Sequence, residues 1–150
     1  MQLTNAVKAT RVINNATGAA GVTTINGTTI DTQDFKSCRF VVSFGAILAT
    51  SVTSVKLQDG NAANMSDAAD LLGSGQNMVA GGADDNGVVI IEIYRPVKRY
   101  IRVVILRATA NSTVDSAVAE QFEGDFFPVT QDATTVRRSK IVTSPIAGTP

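Results

Sequence analysis

Apolar and polar positions alternate at a period of two along much of this chain, and the pattern predicts an all-β domain. The clearest case is residues 37–48, SCRFVVSFGAIL, where Cys38, Phe40, Val42 and Phe44 share one face and Gly45 marks a bend or bulge. Residues 52–58 set Val55 and Leu57 against Lys56 and Gln58, a strand with one wet face. In residues 100–108, Ile101, Val103 and Ile105 oppose Tyr100, Arg102, Val104 and Leu106. In residues 116–122, Ala117 and Ala119 oppose Ser116, Val118 and Glu120. Residues 88–94 are nearly all apolar, which predicts a strand buried on both faces. With the Arg95-Pro96-Val97-Lys98 turn and the strand at 100–108 they predict a central hairpin, Pro96 lying where a missing donor costs least.

Elsewhere the pattern is thinner. Residues 1–30 carry Val12, Ile13, Val22, Ile25 and Ile30 among Thr, Asn, Gly and Ala. Asn26-Gly27, set between two Thr-Thr-Ile triplets, predicts a two-residue hairpin joining two thin strands after a loose N-terminal arm. Residues 31–34 read as a polar turn, and residues 59–86 as a long surface loop with Ser66 capping a helical turn and a short strand at 76–80. Phe126 and Phe127 are expected to close the core. Periodicity ends after Pro128, so the expected organisation is a sandwich domain with its N-terminal arm at 1–128 and an extended C-terminal tail at 129–150. Seven or eight short strands with turn signals at intervals of about ten residues predict an antiparallel β-sandwich, jelly-roll-like, with extended N- and C-terminal arms. An immunoglobulin-like order spends the same strands on different connections, so connectivity stays open at this point.

Composition narrows the core and the partners. A chain of 150 residues buries roughly 70% of its unfolded surface as one domain. With 44% hydrophobic residues but only 5% aromatic, that core is aliphatic. Thirteen basic and thirteen acidic residues cancel, leaving no bulk field to gather nucleic acid. The charges are nevertheless segregated: residues 57–94 hold Asp59, Asp67, Asp70, Asp84, Asp85 and Glu92 and no base, whereas 95–107 hold Arg95, Lys98, Arg99, Arg102 and Arg107 and no acid. We read these as weak pairs on neighbouring strands and as exposed positions that keep a sheet soluble, with a head-to-tail contact between copies as the alternative. The interleaved Tyr94 and Tyr100 do not turn this run into a nucleic-acid face in a neutral chain. No secretory signal opens the sequence and no run reaches the roughly 18 apolar residues of a membrane span, so a soluble protein made in a reducing cytoplasm is expected.

Catalytic chemistry is short of parts. The chain has no His, which removes Ser-His-Asp, Cys-His and ordinary zinc arrangements, and the single Cys38 reads as a small buried hydrophobe. Asp84 with Asp85, and Glu120 with Glu123, are the carboxylate pairs available for glycoside hydrolysis, the first reading better as turn chemistry. Asp59, Asn61, Asn64, Asp67 and Asp70 cluster without the ordered register of a calcium loop, and Gly73-Ser74-Gly75 lacks the following Lys of a phosphate loop. The expectation is a protein that is not an enzyme and holds no cofactor or metal.

Residues 30–120 carry a more specific pattern. It consists of Ile-Asp, then Asp-Phe-Lys-Ser-Cys-Arg-Phe-Val-Val-Ser-Phe-Gly-Ala-Ile, then Ser-Val-Lys-Leu-Gln-Asp-Gly, an Ala-Asp-rich loop, and Lys98-Arg99-Tyr100-Ile101-Arg102-Val103 after the Tyr-Arg-Pro corner. It resembles the small structural proteins of tailed bacteriophages, and among them the capsid decoration, or cement, proteins. The resemblance implies a non-enzymatic virion protein made in the host cytoplasm, a dimer or trimer on the capsid exterior that bridges major capsid subunits. Contacts with the major capsid protein are expected from Arg137, Arg138 and Lys140, with Ile141, Val142 and Ile146 as apolar anchors. A tail, fibre-base or head-completion component is the alternative within that group. A carbohydrate-binding sandwich module is the alternative outside it, weakened by the absence of Trp.

Overall fold

The computed structural model describes residues 2–142. They form a short helix, α1 (Leu3–Ala6), and ten strands: β1 (Lys8–Ile13), β2 (Ile25–Asn26), β3 (Ile30–Asp31), β4 (Phe35–Ile47), β5 (Val52–Gly60), β6 (Ala69–Asp70), β7 (Gln76–Met78), β8 (Val88–Tyr94), β9 (Tyr100–Ala108) and β10 (Ser112–Gly124). Every pairing is antiparallel, and the strands make two packed sheets, an all-β sandwich. One sheet runs β1-β10-β4-β8; the other runs β2-β9-β5-β6, with β3 also on β9 and β7 also on β5.

The period-two faces find each other in the middle. Cys38, Phe40, Val42 and Phe44 of β4, with Ala117 and Ala119 of β10, meet Val55 and Leu57 of β5 and Ile101, Val103 and Ile105 of β9, all fully buried. Phe40 stands opposite Ala119 and Val42 opposite Ala117, so the bulk of β4 fits beside the small residues of β10. At the far end of this pair the register shifts around Phe44–Ile47, and a Cβ on Gly45 would lie 2.9 Å from Asp115 Oδ1; the bulge expected at Gly45 is present.

Several expectations need correction. First, β8 and β9 are not a hairpin: β8 pairs only with β4 and β9 joins β5, so the 95–99 corner crosses from one sheet to the other. Arg95, at φ 51°, turns the chain there. Nor is β8 buried on both faces. It is an edge strand whose exposure alternates, with Val88, Ile90 and Tyr94 more than half exposed while Val89, Ile91 and Ile93 pack on the core.

Second, Asn26-Gly27 is no hairpin turn. Ile25 pairs with Ile105, Gly27 N donates to Val103 O and Ile30 pairs with Ile101, so β2 and β3 are two pieces of one broken strand along β9. Between them Thr28 N leaves to donate to Val12 O of the other sheet. Third, the 59–86 segment holds the short strand expected at 76–80, as β7, but is not otherwise a free loop. Asp70 and Gln76 both pair with β5, and where that ladder breaks Ser74 Oγ accepts from Leu57 N at 3.0 Å. No helix forms at Ser66; the Asp67 carboxylate accepts from Asn61 N and Ala62 N instead, and these bonds hold its pKa below the usual carboxylate value. Fourth, Phe126 and Phe127 do not close the core, being 74% and 59% exposed.

Arg107 is not a solvated strand residue either. It lies on the inward face of β9 at 6% exposure, where its Nε donates to Thr23 O and its Nη1 to Ala19 O and Ser112 O. Burial lowers its pKa, and three carbonyls take the place of a carboxylate partner. The fork thereby fastens the loop between β1 and β2 across the end of the sandwich. Gly18 in that loop accepts from Val114 N and donates to Asn14 O.

Two stability predictions follow from this corner. Arg107→Met keeps the stem but leaves Thr23 O and Ala19 O without their donor, while Ser112 O keeps Gly21 N, and should lower unfolding free energy by about 2–4 kcal/mol in urea titrations. A Cβ at Gly18 would run into Val114 O, whereas one at Gly75 would meet nothing within 4 Å. Gly18→Ala should therefore cost about 1–3 kcal/mol or prevent folding, while Gly75→Ala should leave the urea midpoint within experimental scatter.

Candidate functional site

The first and last described segments converge on the outer face of the β1-β10-β4-β8 sheet. The sheet supplies cross-strand rows: Ile90, Val41, Val118 and Arg11 in one, and Glu92, Arg39 and Glu120 in the next. Arg39 sits between two carboxylates and donates to Glu120 through both Nε and Nη2. Over this floor α1 carries Leu3, 70% exposed, and the corner after β10 carries Phe127. The result is an amphipathic hollow of about 460 Å³, with Leu3, Val7, Phe122 and Phe127 as its apolar wall and Lys36, Arg39, Glu120 and Glu123 as its polar one.

The segment after Pro128 borders the same hollow. Val129 N donates to Asn5 O, Gln131 Oε1 accepts from Ala9 N, and Thr135 Oγ1 accepts from Arg11 N. Gln131 Nε2 also reaches Thr4 O and Val7 O. Asp132 folds this stretch by accepting from Thr134 and Thr135, and those bonds hold its carboxyl below its ordinary range. Residues 129–136 thus lie along the open side of β1.

Beyond them Arg137, Arg138, Lys140, Ile141 and Val142 are all exposed, so the expected contact residues stand at the surface on the flank of the hollow; Ile146 lies outside the described residues. Sequence reasoning did not find the hollow itself. Its lining comes from residues 3–7, 36–39 and 120–127, which share no motif, and the only signal was the pair of late Phe residues assigned to the core.

The other candidates are occupied by structural work. Asp84 Oδ2 accepts from Val79 N and Asp85 Oδ1 from Ile47 N, the turn chemistry expected of them. Glu120 and Glu123 do line one hollow, but Glu120 is held by Arg39 and Glu123 Oε2 accepts from Ser37 Oγ at 2.7 Å. Of the acidic cluster at 59–70, Asp59 pairs with Lys98 at 3.0 Å and Asp70 with Lys56 at 2.7 Å, and among the described residues no three His, Cys, Asp or Glu side chains gather as a metal site. Lys98–Asp59 is a pair between the acidic and the basic stretch of the kind expected of the segregated charges, whereas Arg99 pairs with Asp31, outside both stretches. Arg99 also holds the Asp31 carboxyl below its ordinary pKa. No helix among the described residues is long and apolar enough to cross a membrane.

A scan against protein-family models finds no match for this chain, and a search of curated proteins finds none either.

Cys38, free and fully buried, is the small core residue the sequence predicted. Burial pushes its thiol from 9.0 up to about 12. Below pH 9 both the folded and the unfolded thiol keep the proton; above it only the unfolded one ionises, so this group makes stability fall as pH rises from 9 towards 12. Native protein near pH 8 should not react with a thiol-specific disulfide reagent until urea unfolds it. The alkaline loss of stability should be shallower in Cys38→Ala, as read from urea midpoints across that window.

Proposed function

We propose that this chain is a non-enzymatic structural protein of a tailed-phage virion, a capsid decoration protein seated on the outside of the head. The observation that carries the reading is the convergence of the first and last described segments on one sheet face, where exposed Leu3 lies between Phe127 of the hollow and Val136 and Ser139 of the segment that bears exposed Arg137, Arg138, Lys140, Ile141 and Val142. Apolar side chains next to flexible cations fit a large acidic protein surface better than a small ligand, because the hollow is shallow and its carboxylates are already engaged, Glu120 by Arg39 and Glu123 by Ser37.

The resemblance over residues 30–120 supplies the identity of that surface, the major capsid protein, and self-association as a dimer or trimer. Jelly-roll wiring belongs to the same proposal. With β2/β3 and β6/β7 each counted as one broken strand, the sheets run first-eighth-third-sixth and second-seventh-fourth-fifth, an order that supports the double Greek key. A tail or head-completion station is the second reading, favoured over a sugar-binding module because neither Tyr94 nor Tyr100 lines the hollow.

Copy number in purified particles, by quantitative mass analysis against the major capsid protein, should approach one per capsid subunit. A few copies per particle would move the protein to the tail or connector, and absence would end the virion reading. Deleting residues 137–150 should reduce binding to heads stripped of the protein by at least about tenfold, while leaving the melting temperature within a degree or two.

A further inference from the structure

A sheet edge is a row of backbone donors and acceptors that another strand will pair with unless something prevents it. Each sheet of the sandwich has two edges, and three of the four are finished within the chain. Residues 129–136 cover β1 with Gln131 and Thr135 bonded to its open N–H groups. The β9 side of the second sheet ends in the broken strand β2/β3, and the β5 side in the broken strand β6/β7. Short, interrupted strands of this kind are poor templates.

The fourth edge has none of these devices. β8 pairs with β4 in unbroken register from Ser43–Val88 to Ser37–Tyr94, with no bulge and no Pro, and among the described residues no strand lies on its other side. Phe44 N donates to Gly87 O and Arg95 N to Lys36 O, so the odd-numbered residues spend their backbone groups on β4. Val88, Ile90, Glu92 and Tyr94 therefore turn their N–H and C=O groups to the open edge, and Glu92 is the strand's single charge.

We propose that this edge pairs with the β8 edge of a second copy, antiparallel across a two-fold axis at Ile91, joining two four-stranded sheets into one. Charge selects the occupant. Asp84 and Asp85 precede the strand and Arg95 follows it, and among the described residues Arg95 has no carboxylate partner, its guanidinium lying 5.1 Å from the centre of the Tyr94 ring. Antiparallel pairing brings the acidic start of each copy to the Arg95 end of the other; a parallel arrangement would stack like on like. The register that overlaps all of β8 sets Val88 beside Tyr94 and Ile90 beside Glu92 of the second copy, and so keeps the two Glu92 carboxylates apart. With the other edges finished, the assembly closes at two. This surface deepens the self-association clause of the virion reading, but it depends on the edge alone and not on where the protein sits in a particle.

The test is amide hydrogen exchange of the full chain by NMR in dilute and in concentrated solution, with sedimentation velocity on the same samples. A dimer should form on concentration, and the amides of Val88, Ile90, Glu92 and Tyr94 should become protected in step with it. Ile90→Pro removes an N–H that β4 does not use, and should leave a folded monomer at concentrations where the parent is dimeric. A chain that stays monomeric, a trimer, or a dimer whose four even-numbered amides remain unprotected overturns the proposal. Should Ile90→Pro fail to fold, exchange in the unaltered protein decides alone. A protein found on heads with those amides unprotected loses this interface and keeps the virion reading; one absent from particles but paired through them does the reverse.

Discussion

The pairing of β4 with β10 is the constraint on which the rest of the sandwich rests. It is the longest ladder in the molecule, from Phe35–Gly124 to Ile47–Ser112, and it fixes both what lies inside and what lies on the outer face. Because the period is two, the register that buries Phe40 beside Ala119 also brings Arg39 to Glu120 on the opposite side. A slip by one residue would bury an arginine and a glutamate and expose the aromatic core. The apolar filling and the ionic row over the hollow are thus one decision read from two sides.

The four long strands were legible in the sequence for the same reason. Val55, Leu57, Ile101, Val103 and Ile105 point where their alternation says, because a half-buried strand leaves its pattern in the residues themselves. Partnership leaves no such mark. The residues of β8 are apolar on both faces because one packs on the core and the other lies open at an edge, and from sequence that looks the same as full burial. The corner at Arg95 to Arg99 likewise reads as a hairpin turn unless one knows that its two strands belong to different sheets.

The candidate surface was half legible. The exposed positions of Arg137, Arg138, Lys140, Ile141 and Val142 agree with what a basic, aperiodic tail implies. The hollow beside them was invisible, since it is assembled from three distant stretches whose only common property is where the fold puts them. Arg107 is the sharpest case of a residue misread by company: among Arg95, Lys98, Arg99 and Arg102 it looks like one more surface charge. Its position on the inward face of β9, one period beyond Ile105, was the sign that it must be buried and therefore bonded to carbonyls.

The place of β10 in the sheet carries a consequence for how the chain comes to be folded. It is the last of the ten strands in sequence yet lies between β1 and β4, so the first strand has no neighbour in its sheet until the tenth arrives. During synthesis β1 must wait, unpaired, for more than a hundred residues to leave the ribosome. The sandwich then closes late and all at once through contacts between chain segments far apart in sequence, the regime in which β proteins fold slowly. Thr, Asn, Gly and Ala around β1 suit that interval, because a sparse, weakly apolar first strand has little to aggregate with while it waits.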